Sequence, residues 1–154
     1  MIGWADARRA VEEYVATKVP TVLPGLPIFY ENMTRPSKSG SPAAEWVGVS
    51  VSEQASAFTS TGPNPLMQVS GLVIVQVFTP LHGGQSARRS AVILEAIATL
   101  FVGASISAGT SGRLSFRRPP YHAPAQPSDG WWQDNLIAPY TRSKTVPIAA
   151  AWTP

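Results

Sequence analysis

Residues 68–84 read QVSGLVIVQVFTPLHGG, and residues 85–101 continue QSARRSAVILEAIATLF. From Leu72 to Phe78 almost every position is apolar, which predicts a strand covered on both faces and central in its sheet. The next run repeats apolar residues at steps of three and four and predicts an amphipathic helix over about 85–102. Ala87, Ala91, Leu94, Ala98 and Phe101 are expected on its inner face, widened by Ile93, Ile97 and Leu100, with Arg88, Val92, Glu95 and Thr99 outside. Strand, glycines, helix is also the order of a phosphate-cradling loop. A P-loop, however, needs GxxxxGK followed by Ser or Thr, and a dinucleotide fingerprint needs GxGxxG. PLHGGQSARR meets neither requirement. Gly83 and Gly84 are therefore expected to turn the chain at positive φ ahead of a helix capped by Gln85 or Ser86, and to bind nothing.

Upstream, Trp4, Ala7, Val11, Tyr14, Val15 and the stem of Lys18 fall on one face of a helix over 4–18, which Pro20 should end. PIFYEN (27–32) predicts a short strand, and MTRPSKSGSPAAE (33–45) an exposed loop. EWVGVSVSE (45–53) alternates valines with serines, the pattern of a half-buried strand, and QASAFTSTGPNPL (54–66) reads as a second loop. Downstream, RLSFRRP (113–119) predicts a strand and PPYHAPAQPSDG (119–130) a long turn. WWQDNLIAPYTRSKTVPIAAAWTP predicts one or two strands, broken or bulged near Pro139 to Lys144, and residues 141–154 are an expected extra strand or arm. The order α-β-β-β-α-β-β, with hairpin-like connections and long Pro/Gly/Ser loops, predicts an α+β domain. Its sheet is expected to be mostly antiparallel or mixed, with two helices packed on it.

A length of 154 residues suits one domain spanning 1–154, and 44% apolar residues suit a folded core. Charged residues are only 14%, beside 15 Pro and 12 Gly, a composition that fits surface hidden against other chains. The net charge of +3 tolerates a polyanion without requiring one. Cysteine is absent, which excludes disulfides, thiol catalysis and Cys-based metal sites. The N-terminal segment MIGWADARRAVEEYV carries charges where a secretory signal would be apolar, and AVILEAIATLFVGASI is too short to span a membrane. A cytoplasm-like compartment is the expectation.

Chemistry-bearing patterns are sparse. His82 and His122 lack paired-His or HExxH spacing, and neither GASIS nor GTSGR matches GxSxG. Glu12 and Glu13 diverge on their helix by about 100°. Neither catalysis, a cofactor nor a metal is expected. Arg113, Arg117 and Arg118 interleave with Phe116 and Tyr121 as in single-strand binders, or form a solvated strand face around a core aromatic. Alternation along a strand sends one of Trp131 and Trp132 inward and the other outward.

The succession ARRAVEEYVATKV, PIFYEN, EWVGVSVSE, GLVIVQVFTPLHGGQSARR and DGWWQDNLIAPY resembles the tail terminator (tail completion) family of long-tailed bacteriophages and related tail-like particles. The resemblance runs from about Asp6 to Tyr140. It implies a small α+β virion subunit that forms a homo-hexameric ring on the head-proximal end of the tail tube. It further implies that the ring stops tube polymerisation and receives the head connector, with assembly in the host cytoplasm and no catalytic residues. The partners implied are the subunit itself, the tail tube protein and a head connector or stopper protein. On that reading Arg113, Arg117 and Arg118 are candidates to line a DNA channel. The candidate assembly contacts are apolar residues without an evident core role: Phe58, Leu66, Met67 and one of Trp131 and Trp132. The alternatives are another head–tail joining protein, such as a stopper or connector-completion protein, and a single-stranded nucleic-acid-binding module.

Overall fold

A computed structural model describes residues 2–31, 33, 45–81, 86–123 and 130–147. The helices are α1 (Trp4–Val22) and α2 (Ser86–Phe101). The strands are β1 (Ile28–Tyr30), β2 (Trp46–Phe58), β3 (Leu66–Pro80), β4 (Ser105–Ser107), β5 (Arg113–Ser115), β6 (Tyr121–Ala123) and β7 (Trp131–Thr145). The fold is α+β, as expected, with the anticipated element order elaborated by the short strands β4 and β6. One sheet runs β1-β2-β3-β7-β5-β4, with β6 also on β7. Only β1 on β2 is parallel, so the sheet is mixed.

The central apolar strand is β3, paired on both sides as its composition required. Rows such as Val47–Val77–Asp134, Val49–Val75–Leu136 and Val51–Val73–Ala138 cross the sheet in register. Those valines, with Leu136 and Ala138, meet Ala7, Val11, Val15 and Val19 of α1 and Ile93, Leu94, Ile97 and Phe101 of α2 in the main core. The opposite sheet face carries a second, aromatic cluster. Trp46 stacks on Phe78 at 4.0 Å and meets Trp131 edge-on at 6.0 Å, with Phe29 edge-on to Trp46 at 5.4 Å.

Several expectations are corrected. Helix α1 continues through Pro20 to Val22. The N–H that proline lacks would have served the carbonyl of Ala16, a residue on the exposed side of the last turns, so the loss falls on a solvent-accessible carbonyl. Trp4 is not on the buried face but 62% exposed, and Ala10 and Val19 pack inward instead. On α2 the buried stripe is Ser90, Ile93, Leu94, Ile97 and Phe101, while Ala87 and Ala91 are exposed. The small polar Ser90 packs where alanines were expected, fully buried, with no hydrogen-bond partner for its hydroxyl among the described residues. Residues 54–58 are strand, not loop.

Nor does β7 break. It pairs with β3 without a register shift from Trp131 to Thr145. Pro139 sits in the interval between the pairing of β7 with β6, ending at Ile137, and with β5 at Thr141. A proline there forfeits no ladder bond on that side, so its missing N–H is tolerated. Gly83, Gly84 and His82, most of the 33–45 loop and the end of the chain from Ile148 lie outside the described residues.

Candidate assembly and channel surfaces

The apolar candidates separate by position. Phe58 ends β2 and Leu66 begins β3, so both stand at the tip of one β-hairpin, 63% and 38% exposed. Met67, expected to be exposed, is only 5% exposed. It lies on the middle strand, in register with Phe58 on one side and Lys144 on the other, on the same sheet face as the buried Val69 and Val73. Trp131 is buried in the aromatic cluster, and Trp132 is half-buried with its indole N–H donated to Asp134 Oδ2 at 2.8 Å. Trp131 Nε1 is itself buried with no hydrogen-bond partner among the described residues.

The three arginines also divide. Arg117 and Arg118 are exposed and line one groove of about 410 Å³ together with Gln54, Gln68, Ser70 and Thr141 of the sheet. Arg113 lies apart, on the β5–β4 edge, donating to Ser105 Oγ at 3.1 Å. Phe116 between them is buried against Phe101 and Tyr140 at ring separations of 5.2 and 5.5 Å. That leaves Tyr121 as the exposed aromatic of the run, so a stacking platform of interleaved rings is not assembled here.

Two polar clusters were not anticipated. Arg142, with a wholly buried side chain, donates from Nε and Nη2 to Glu53 at 2.7 and 2.6 Å and from Nη1 to the Ser111 carbonyl at 2.9 Å. Tyr140 donates its hydroxyl to the same Glu53 carboxylate at 2.9 Å, and Ser111 donates to Asp6 Oδ2 at 2.5 Å. Burial, followed by the Glu53 charge, pushes the Tyr140 phenol far above its ordinary range, so it stays a donor. The cluster ties α1, β2, β7 and the 3-10 turn Gly109–Ser111 together. An Arg among strand residues near the chain end, beside a lone Glu in a valine-rich strand, was its only sequence signal.

The second cluster is Asp134, which accepts from Trp132 and lies 2.6 Å from His122 Nε2. Burial pushes its carboxyl up, but the hydrogen bonds from His122 and Trp132 outweigh that and hold its pKa below the ordinary aspartate range. A carboxylate depressed in the folded state contributes stability above its unfolded pKa and loses it as pH falls through the folded one. Thermal melts should therefore decline below about pH 4, and Asp134→Asn should flatten part of that slope. A slope unchanged by the substitution would assign the acid sensitivity elsewhere.

No group of three or more metal-ligating side chains occurs among the described residues, and no described helix is long and apolar enough to cross a membrane. Among the described residues the candidates form an exposed apolar hairpin tip and a basic groove. Residues 6–135 match the family profile described as phage tail terminator protein. No curated protein matches the sequence. One solved structure aligns with a TM-score of 0.58 at 16% identity, over 94% of this chain and 96% of its own. Another, from the virion of a native gene transfer agent particle, aligns with a TM-score of 0.55 at 15% identity, over 91% of this chain and 98% of its own. At these identities the two likenesses bear on the fold alone.

Proposed function

Since the chain belongs to the phage tail terminator family, a family of structural tail proteins, we propose that it closes into a homo-hexameric ring on the head-proximal end of the tail tube. There it stops tube polymerisation and presents the surface that receives the head connector. The family match over residues 6–135 carries this reading. The likeness of fold to a chain of a gene transfer agent virion agrees with it. The sheet supports it physically: its hairpin tip displays Phe58 and Leu66. A subunit flanked by two neighbours and stacked between tube and connector has use for such apolar surface.

Disrupting the gene alone in its own genome tests the assignment. Electron microscopy should show headless tails of uncontrolled, excessive length. Tails of normal length beside filled heads would move the protein to the joining step, as a stopper or connector-completion protein. Normal infectious particles would retire both readings and bring single-stranded nucleic-acid binding forward.

We also assign Arg117 and Arg118 to the DNA channel, with Arg113 nearer the subunit edge. Exposed guanidinium groups at one groove make weak, sequence-independent phosphate contacts, which suit a passing duplex. Replacing both Arg117 and Arg118 by Ser should slow DNA release while leaving tail length normal. Unchanged release kinetics and infectivity would remove the arginines from the channel.

A further inference from the structure

We propose that His122, through its bond to Asp134, is the positioning residue that holds Arg117 and Arg118 in place for contact with DNA phosphates. The inference rests on the channel reading above and names what presents its two arginines. Register is the first observation. Ser115 of β5 stands opposite Thr141 of β7, and Tyr121 of β6 stands opposite Ile137. Five residues, 116–120, therefore cover a stretch that three, 138–140, cover on β7. At roughly 3.3 Å per residue the two extra residues are about 7 Å of chain that the ladder cannot take up. Such an excess bows out of the strand and re-aims its side chains. Phe116 stays in the core, so the excursion consists of Arg117, Arg118, Pro119 and Pro120.

The residues themselves keep the excursion from closing. Pro119 and Pro120 have a fixed φ and no N–H to return to a ladder, and Pro139, in the facing stretch of β7, has none either. The arginines thus stand outside the hydrogen bonding of the sheet and line the groove with Gln68, Ser70 and Thr141. No acidic side chain lines that groove among the described residues, so both guanidinium groups are left for an anion.

A charged loop is pre-organised when both of its ends are fixed. The start of this one is fixed by Phe116, which is buried against Phe101 and Tyr140 and donates its N–H to the Ala104 carbonyl at 3.0 Å. Its end rests on β6, three residues that pair with β7 alone among the described residues, with Tyr121 and His122 exposed. A strand that short holds weakly by its ladder. His122, two residues past Pro120, supplies the missing hold. Its Nε2 lies 2.6 Å from Asp134 Oδ1, and that residue is 7% exposed and held in turn by the Trp132 indole N–H. An ionised carboxylate only accepts, so Nε2 carries the proton and the bond is charge-assisted in either state of the imidazole. A surface side chain thereby ties β6 to a buried, fixed acceptor.

Particles assembled with His122→Ala test the assignment beside particles carrying Arg117→Ser with Arg118→Ser. In the full-length chain, hydrogen exchange at the amides of residues 121–123 should quicken roughly tenfold, as the loss of one charge-assisted bond predicts. DNA release should slow as it does in the arginine variant, with tail length unchanged. His122→Gln, which keeps a side-chain N–H, should restore both the protection and the release. Adding His122→Ala to the arginine variant should slow release no further, because the residue acts through those two side chains. Unchanged exchange at 121–123, or normal release from His122→Ala where the arginine variant is slow, overturns the inference and leaves the channel reading standing. Further slowing in the combined variant overturns it too, since His122 would then act without the arginines. Normal release from the arginine variant defeats the channel reading itself, and the inference falls with it.

Discussion

Replacing Arg142 by Ala is expected to destabilise the folded subunit by about 3–5 kcal/mol, the usual consequence of breaking a buried ion pair from one side. Glu53 has 7% of its side chain exposed and is held by two charge-assisted bonds from Arg142. Without the guanidinium its carboxylate keeps, among the described residues, just the Tyr140 hydroxyl, and the Ser111 carbonyl loses the Arg142 donor as well. For a chain of this length the midpoint of thermal unfolding should drop by roughly 6–20 °C. Calorimetry or circular dichroism would measure it. Combining Arg142→Met with Glu53→Leu should recover most of the loss, because two apolar groups leave no buried charge behind. A loss below about 1 kcal/mol for Arg142→Ala would mean that water reaches the pair and that the cluster does not hold β2 to β7.

Gly71→Val is the second large expected effect, for a steric reason. Gly71 lies on β3 between Glu53 of β2 and Tyr140 of β7, in register with both. A Cβ added there would stand 2.5 Å from the Tyr140 ring and 2.6 Å from its hydroxyl oxygen. The phenol lies across the middle strand to reach Glu53, and only a residue without a side chain lets it pass. Valine would force the ring away, weakening both its packing on Phe116 and its bond to Glu53. Overpacking of this kind destabilises by about 3 kcal/mol or more when a hydrogen bond is lost with it. Adding Tyr140→Ala to Gly71→Val should be less harmful than the two single effects summed, since the second change makes room for the first. Strict additivity would show that the close approach is not what excludes a side chain at position 71.

Gly71 also marks the limit of what the sequence disclosed. The alternation of Val47, Val49 and Val51 and the unbroken apolar run from Leu72 to Phe78 are local patterns, and they located the two strands that carry the core. Where the neighbours across the sheet decide the outcome, local pattern did not suffice. Residues 54–58 look like loop because their side chains are polar, small or exposed, yet β3 extends the ladder to Phe58. Pro139 looks like a break, and is harmless because of which strands flank β7 at that point. The stripe on α2 shifted to Ser90, Ile93, Leu94, Ile97 and Phe101, a choice of helix face that side-chain spacing alone left open. The Glu53–Arg142 pair joins positions 89 residues apart, and no spacing rule connects them. Among the surface candidates, Phe58 and Leu66 were nominated on composition. That they share a hairpin tip, and that Met67 does not share their exposure, follows from the pairing register.

The ladder between β3 and β7 runs through the packed core and on to the exposed tip without interruption, fifteen residue pairs in a single register. Its mechanical consequence depends on the direction of pull. Force along the strands, with one end of each held, loads all the cross-strand bonds together in shear, and none yields before the rest. Force across the strands opens them in turn from one end, like a zipper. Tension applied at the tip along the strand axis therefore reaches the centre of the domain in the stiff mode. The hairpin is thus an anchor point rather than a hinge.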